Sequence, residues 1–213
     1  SDMGIDLHTA AIHRDNFPQI RADLKDEKLN NLARVFAAPV LLHSAAPEGS
    51  LRNAAANEAT PIMVYESGEA LRFDEVSIRV AVRGILNVMR EMEMITKGKT
   101  RKSKQTVVLR SSTWVRAPKS GILRAKVKLG DMVSKGDVLG FVSDPAVQTD
   151  ELIEAPSDGI IIGRTNIPLI YEGEALFHIG LSRQTSLLEA QLDTLQNEDA
   201  LTSPELVEEP IIV

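Results

Sequence analysis

The sequence predicts an α/β domain followed by an all-β module, and three observations predict it. Residues 3 to 95 alternate short apolar runs with amphipathic helical patterns, as a layered α/β domain requires. From Thr106 to Gly180 there is no helical pattern, only short β-type runs broken by Gly, Asp, Pro and Ser. Between the two lies a Gly- and Ser-containing stretch carrying Lys97, Lys99, Arg101, Lys102 and Lys104, which reads as a solvated linker. The expected boundaries are therefore 1–96 for the α/β part, 97–106 for the linker, 107–181 for the β-module and 182–213 for an acidic tail.

Gly4-Ile5-Asp6-Leu7 reads as a short buried strand that delivers His8 to a sheet edge. A polar loop holding Arg14, Pro18 and Arg21 is expected next. Asp26 to Phe36 has Leu29, Leu32, Ala33 and Phe36 on one helical face. Pro39 to His43 is the next strand, Ser50 to Glu58 is Ala-rich and helical, and Pro61 to Tyr65 is a further apolar strand that ends on Glu66. Asp74 suits the N-cap of a long helix from Glu75 to about Ile95. Gly84 inside that helix costs about 1 kcal/mol relative to alanine unless close packing needs the missing side chain. In the β-module, Arg116-Ala117-Pro118-Lys119-Ser120-Gly121-Ile122 is echoed by Glu154-Ala155-Pro156-Ser157-Asp158-Gly159-Ile160. Gly130 to Leu139 reads as strand, turn and strand, and Tyr171 to Leu176 repeats it. The tail is polar, with an amphipathic turn around Leu187 to Leu195, and Pro204 and Pro210 limit any further helix.

Composition narrows the functional classes. A net charge of −6 argues against nucleic acid as a main partner, since phosphate binding rests on clustered Lys and Arg. The chain has no cysteine, so disulfides, thiolate metal sites and cysteine nucleophiles are excluded. No apolar run approaches the roughly 20 residues that cross a bilayer, and Ser1-Asp2-Met3 opens no signal peptide. The expectation is a cytoplasmic protein acting on a small molecule, with no nucleic-acid or membrane partner, and with surface available for a homo-oligomer.

His8 and Glu66, each at the end of an apolar strand, suit a metal ligand and a general base at the carboxyl edge of an α/β sheet. Asp6, two residues before His8 on the same strand, faces the same side, where it orients an imidazole or serves as a buried structural carboxylate. Glu69 is the rival base, but it lies beyond the strand end. Arg14, Arg21 and Arg52 flank these positions, and arginine binds carboxylates bidentately. Arg14 and Arg52 are the stronger candidates, with Asn16 as a further substrate-binding residue. His13 is five residues from His8, which matches no helical metal-binding pair, so it reads as a loop histidine; His43 and His178 read as structural.

Asp6-Leu7-His8-Thr9, with Ile12-His13-Arg14-Asp15-Asn16-Phe17-Pro18-Gln19-Ile20-Arg21, Gly49-Ser50-Leu51-Arg52 and Tyr65-Glu66-Ser67-Gly68-Glu69, resembles the succinylglutamate desuccinylase/aspartoacylase family. The resemblance implies a carboxypeptidase-like, zinc-dependent amidohydrolase that cleaves the amide bond of an N-acyl amino acid. It makes His8 a zinc ligand and Glu66 the base that later protonates the leaving amine; the carboxylate of such a substrate gives Arg14, Arg52 and Asn16 a group to bind, with ordinary surface charge as the alternative for the two arginines. The family takes two further ligands from a His-x-x-Glu motif, whereas the residues three places after His8, His13, His43 and His178 are Ala11, Asn16, Ala46 and Leu181. On this resemblance the chain corresponds to the later, C-terminal portion of such an enzyme, with a partial catalytic domain. The alternative is a non-catalytic binding or assembly protein derived from that family.

The β-module in turn resembles the barrel-sandwich hybrid of biotinyl and lipoyl carrier domains. Its expected hairpin tip, Ser143 to Thr149, has no lysine, and none follows Lys135. A swinging-arm role is excluded. In the family such a β-domain borders the active-site mouth, which points to the Arg164-Thr165-Asn166 loop and Tyr171 as substrate-facing groups.

Overall fold

A computed structural model describes residues 1–96, 106–144 and 149–181. The linker residues 97–105, the hairpin-tip residues 145–148 and the acidic tail lie outside the described residues. The strands are β1 (Gly4–His8), β2 (Arg14–Ala22), β3 (Val40–His43), β4 (Ile62–Gly68), β5 (Val107–Leu109), β6 (Ser111–Arg116), β7 (Gly121–Ala125), β8 (Met132–Val133), β9 (Val138–Asp144), β10 (Thr149–Glu154), β11 (Gly159–Thr165), β12 (Leu169–Ile170) and β13 (Ala175–Leu181). The helices are α1 (Glu27–Phe36), α2 (Leu51–Asn57) and α3 (Glu75–Glu91).

Local chemistry explains the helix ends. Asp26, Ser50 and Asp74 each accept a hydrogen bond from the backbone N–H three residues on, which satisfies one of the free donors at a helix start. The expected helix to Ile95 stops at Glu91, because Glu93 adopts a left-handed φ of 58°. Gly84 is where α3 crosses α1: a Cβ there would stand 2.3 Å from the Phe36 ring. The missing side chain is what lets the helices approach.

The expected polar loop around Pro18 is instead β2, a nine-residue strand in the middle of the sheet. Its polar residues find distant partners that a local reading does not supply. β4 runs antiparallel along one edge of β2. On the other edge, Arg14 to Asn16 pair with β11, and Gln19 to Ala22 pair with β3. Pro18 sits within the register shift between Asn16 and Gln19, where the ladder with β4 is already interrupted.

Among the described residues the larger sheet has nine strands along the path β1-β4-β2-β11-β13-β6, with β3 and β5 continuing beside β2 and β8 beside β11. A four-stranded sheet runs β10-β9-β7-β12. The helical side of the larger sheet is closed by Ile20, Leu41, Met63 and Tyr65 packed on Leu29, Phe36, Val80 and Val88. Its other face carries a smaller apolar cluster of Val40, Leu42, Val107, Leu109, Ile160 and Ile162. A third cluster, including Leu123, Val142, Ile153, Ile161, Phe177 and Ile179, joins strands of both sheets. Among the described residues no helix is long and apolar enough to cross a membrane.

Candidate functional site

β1 and β4 are parallel neighbours, and their register sets His8 directly beside Glu66. Directly paired residues share a face, so the alternation of a strand puts Asp6, His8, Val64 and Glu66 on one side of the sheet. That side faces away from α1 and α3, whose contacts are Met63 and Tyr65 on the opposite parity. Gln19 pairs with Glu66 across β2, which brings Gln19 and Arg21 onto the same side.

The polar contacts are short. Asp6 Oδ2 lies 3.0 Å from His8 Nε2, leaving His8 Nδ1 without a partner among the described residues. Glu66 Oε2 accepts from Arg21 Nη2 at 3.0 Å and from Asn16 Nδ2 at 3.2 Å. Arg21 lies on the strand that was expected to be a loop, and it turns out to be the guanidinium that meets the Glu66 carboxylate. A bulge is the one local signal for it: Pro18 interrupts the alternation, so a residue at odd separation from Asn16 can reach the same carboxylate.

Arg52, in the first turn of α2, donates through Nη1 to the Ser44 carbonyl at 3.1 Å and through Nη2 to the Ser44 hydroxyl at 3.3 Å. Burial, and then the nearby Arg21 guanidinium, push Arg52 below the usual arginine value, while Glu66, Asp6 and Asp23 act in the opposite direction. Two guanidiniums and two carboxylates thus share one side of the sheet.

Arg14 is placed differently. Its guanidinium carbon lies 5.5 Å above the Trp114 ring centroid, on β6. Trp114 stacks in turn on His178, with centroids 4.3 Å apart and planes 8° from parallel. His178 is 3% exposed, and its Nε2 lies 2.8 Å from the Ser112 hydroxyl. Burial, and then the Arg21 charge, lower its pKa to about 3.

Glu69 is engaged elsewhere: it accepts from the His13 N–H at 3.0 Å and from Asn166 Nδ2 at 3.1 Å. His13, at a left-handed φ of 64°, offers its carbonyl to Asn166 N at 2.7 Å and to Thr165 Oγ1 at 3.2 Å. The Arg164–Asn166 segment is therefore tied to the loop after β1, with Arg164 Nη1 donating to the Val127 carbonyl. Tyr171 is exposed. His43 Nδ1 accepts from the Leu24 N–H at 3.1 Å and holds the turn after β2.

A catalytic zinc takes three protein ligands and keeps one open position. Among the described residues no group of three or more His, Cys, Asp or Glu side chains is placed to hold a metal ion. These residues do not by themselves fit a zinc ion; His8 offers one nitrogen.

Residues 1–92 match the sequence profile of the succinylglutamate desuccinylase/aspartoacylase catalytic domain. The fold is similar to that of the product-bound ectoine utilization protein EutE (DoeB) from Ruegeria pomeroyi, with a TM-score of 0.75 and 23% identity over 85% of this chain and 59% of that one. It is also similar to a succinylglutamate desuccinylase/aspartoacylase from Rhodobacter sphaeroides, with a TM-score of 0.72 and 20% identity over 84% of this chain and 58% of that one. A stretch of 59 residues is 39% identical to the uncharacterized protein YqeB of Escherichia coli, covering 28% of this chain and 10% of that protein. The chain thus spans less than two thirds of the length of each of these relatives. Residues 1–92, somewhat under half of the chain, thus carry the sequence profile of a succinylglutamate desuccinylase/aspartoacylase catalytic domain.

Proposed function

We propose that this chain carries the catalytic base and part of the substrate-binding site of a deacylase that hydrolyses the amide of an N-acyl amino acid or a similar small carboxylate-bearing amide. The observation that carries this reading is the pairing of His8, the last residue of β1, with Glu66 on the parallel neighbour β4, on a face where Arg21 and Arg52 also converge.

In this reading Glu66 takes a proton from the attacking water and returns it to the leaving nitrogen. Arg21 and Asn16 hold its Oε2, so the other oxygen, Oε1, is the one left to exchange the proton. Asp6 fixes the His8 ring through Nε2 and leaves Nδ1 for a metal. Arg52, already desolvated and next to a second guanidinium, gains from a substrate carboxylate between them. The family's zinc dependence extends to this protein in the same reading, with His8 as one ligand and the others supplied by protein outside these residues. A zinc held there would supply Lewis-acid chemistry at the scissile carbonyl. The resemblance of residues 107–181 to a barrel-sandwich hybrid makes that part a specificity module beside the site.

The lack of a three-ligand group among the described residues favours the second reading, a binding or assembly protein without turnover. One variant separates the two. Glu66→Gln is expected to fold, to keep its metal and to lose hydrolysis of N-succinyl-L-glutamate or N-acetyl-L-aspartate by about 100- to 10,000-fold. Hydrolysis unchanged in the variant removes Glu66 from the reaction. Full-length wild-type protein that is metal-free and hydrolyses neither substrate overturns the deacylase reading.

A further inference from the structure

β1 ends on His8, and among the described residues it pairs with β4 alone, so one edge of this five-residue strand is unsupported. A strand held on one side frays at its end unless the chain beyond it is tied down. Two anchors follow His8. Ala10 is buried, and its N–H donates to the Gly68 carbonyl at 3.0 Å. His13 is the second anchor, at a left-handed φ of 64°. A residue with a Cβ keeps that conformation only where its surroundings impose it.

The surroundings come from two other strands. Glu69, one position past β4, accepts from the His13 N–H through Oε1 at 3.0 Å and from Asn166 Nδ2 through Oε2 at 3.1 Å. Asn166, one position past β11, returns its own N–H to the His13 carbonyl at 2.7 Å, and Thr165 Oγ1 donates to the same oxygen at 3.2 Å. These bonds close a circuit from β4 to the loop after β1, on to β11 and back. The circuit runs through the His13 backbone, while its imidazole is largely exposed. Asn166 Oδ1 accepts from Arg164 Nε at 3.1 Å, so both ends of the Asn166 side chain are engaged within the protein.

Position 69 asks for a carboxylate, because both of its oxygens accept and an amide offers only one acceptor. The same charge carries a cost. The Asp15 carboxyl is raised above its ordinary value by burial first and by Asp74 next; Arg164 opposes the rise and Glu69 adds to it. Removing the Glu69 charge therefore relieves repulsion while it removes a hydrogen bond, and the two effects on stability oppose each other.

We propose that Glu69 is a positioning residue: through His13 and Asn166 it fixes the chain leaving β1, and so keeps His8 beside Glu66 and against Asp6. The β-module thereby forms part of the frame of the site. The proposal rests on the reading in which His8 and Glu66 mark the reacting centre.

The test follows the imidazole signals of the four histidines by NMR in full-length protein carrying isotope-labelled histidine, with His8→Gln identifying the His8 signal. Glu69→Gln and Asn166→Ala are each expected to move the His8 signal toward that of a free side chain and to leave His43 and His178 in place. Glu69→Gln is expected to unfold close to the wild-type temperature. In a Glu69→Gln, Asn166→Asp double variant the amide at 69 donates to a carboxylate at 166, which still accepts from Arg164. The His8 signal is expected to return in that variant. Hydrolysis of N-succinyl-L-glutamate is expected to fall about 10- to 100-fold in kcat with Glu69→Gln, with KM changed less than about twofold, and to recover in the double variant.

A His8 signal that stays put in both single variants overturns the proposal, as does a double variant no closer to wild type than Glu69→Gln. Signals of all four histidines shifting together also overturn it, since Glu69 then only supports the fold. Wild-type kcat in a variant whose His8 has moved does the same. If His8 moves and recovers as expected while wild-type protein hydrolyses neither N-succinyl-L-glutamate nor N-acetyl-L-aspartate, the clamp stands and the deacylase reading fails.

Discussion

Asn16 and Arg21 converge on a single oxygen, Oε2 of Glu66, at 3.2 and 3.0 Å. They are an odd number of residues apart on β2, and an unbroken strand would point them to opposite faces. The register shift between Asn16 and Gln19 adds a residue to β2 and restores the common face. The bulge is thus what assembles the clamp on the carboxylate. Arg21→Met removes the charged partner from a largely buried Glu66. It is expected to cost about 1–3 kcal/mol in urea unfolding and to lower any hydrolysis through kcat rather than KM.

Gly163→Ala tests the floor of the same site. The added methyl meets Asn16 Oδ1 at 2.8 Å, so Asn16 must give way and its bond to Glu66 Oε2 is lost or lengthened. The expected result is a folded protein with its melting temperature lowered by a few degrees, matching about 1–2 kcal/mol. Activity that stays at the wild-type level shows that Glu66 does not need Asn16.

At Gly84, helix propensity and packing oppose each other. Alanine gains up to about 1 kcal/mol in an α-helix relative to glycine. A Cβ 2.3 Å from the Phe36 ring instead forces α1 and α3 apart, an overpacking cost of about 1–3 kcal/mol. Packing wins, and Gly84→Ala is expected to lower the urea midpoint. A Phe36→Leu, Gly84→Ala double variant is expected to recover part of the loss.

His178 makes stability depend on acid. Its folded pKa is about 3, against about 6.5 in an unfolded chain, so the unfolded state binds more protons between these values. Its contribution is complete above pH 6.5 and declines as pH falls toward 3, with a limiting slope of about 1.4 kcal/mol per pH unit. His178→Phe retains an aromatic partner for Trp114 and carries no titratable group. Unfolding free energies measured from pH 7 to pH 4 are expected to fall less steeply in the variant, by about one proton's worth. Equal slopes rule out His178 as the source.

Much of the α/β part was legible from local pattern. The apolar face of α1, the Asp26 and Asp74 caps and the apolar runs of β3 and β4 are statements about neighbouring residues, and neighbours determine them. His8 ends β1 as expected, whereas β4 runs two residues past Glu66 to Gly68; the pairing of the two follows from β1 lying parallel to β4. β2 was missed because its polar side chains are satisfied from afar: Gln19 Nε2 meets the Ile162 carbonyl, and Arg21 meets Glu66. The partnership of Arg14 with Trp114 was invisible for the same reason, since 100 positions of sequence separate two residues that one sheet brings together. No periodicity encodes a register between β2 and β11, which depends on the whole sheet being formed.

That register has a consequence for how the chain matures. β2 is complete after residue 22, yet the edge it offers at Arg14 to Asn16 closes only when Gly163 to Thr165 arrive. During synthesis the N-terminal part therefore leaves the ribosome with an open strand edge, and most of the described chain must follow before the edge is covered. Non-local strand pairing of this kind is slow, and exposed edges recruit other chains. Yield on refolding is accordingly expected to fall with rising protein concentration, and the vulnerable intermediate is the one in which helices and β4 are in place while β11 is still adrift.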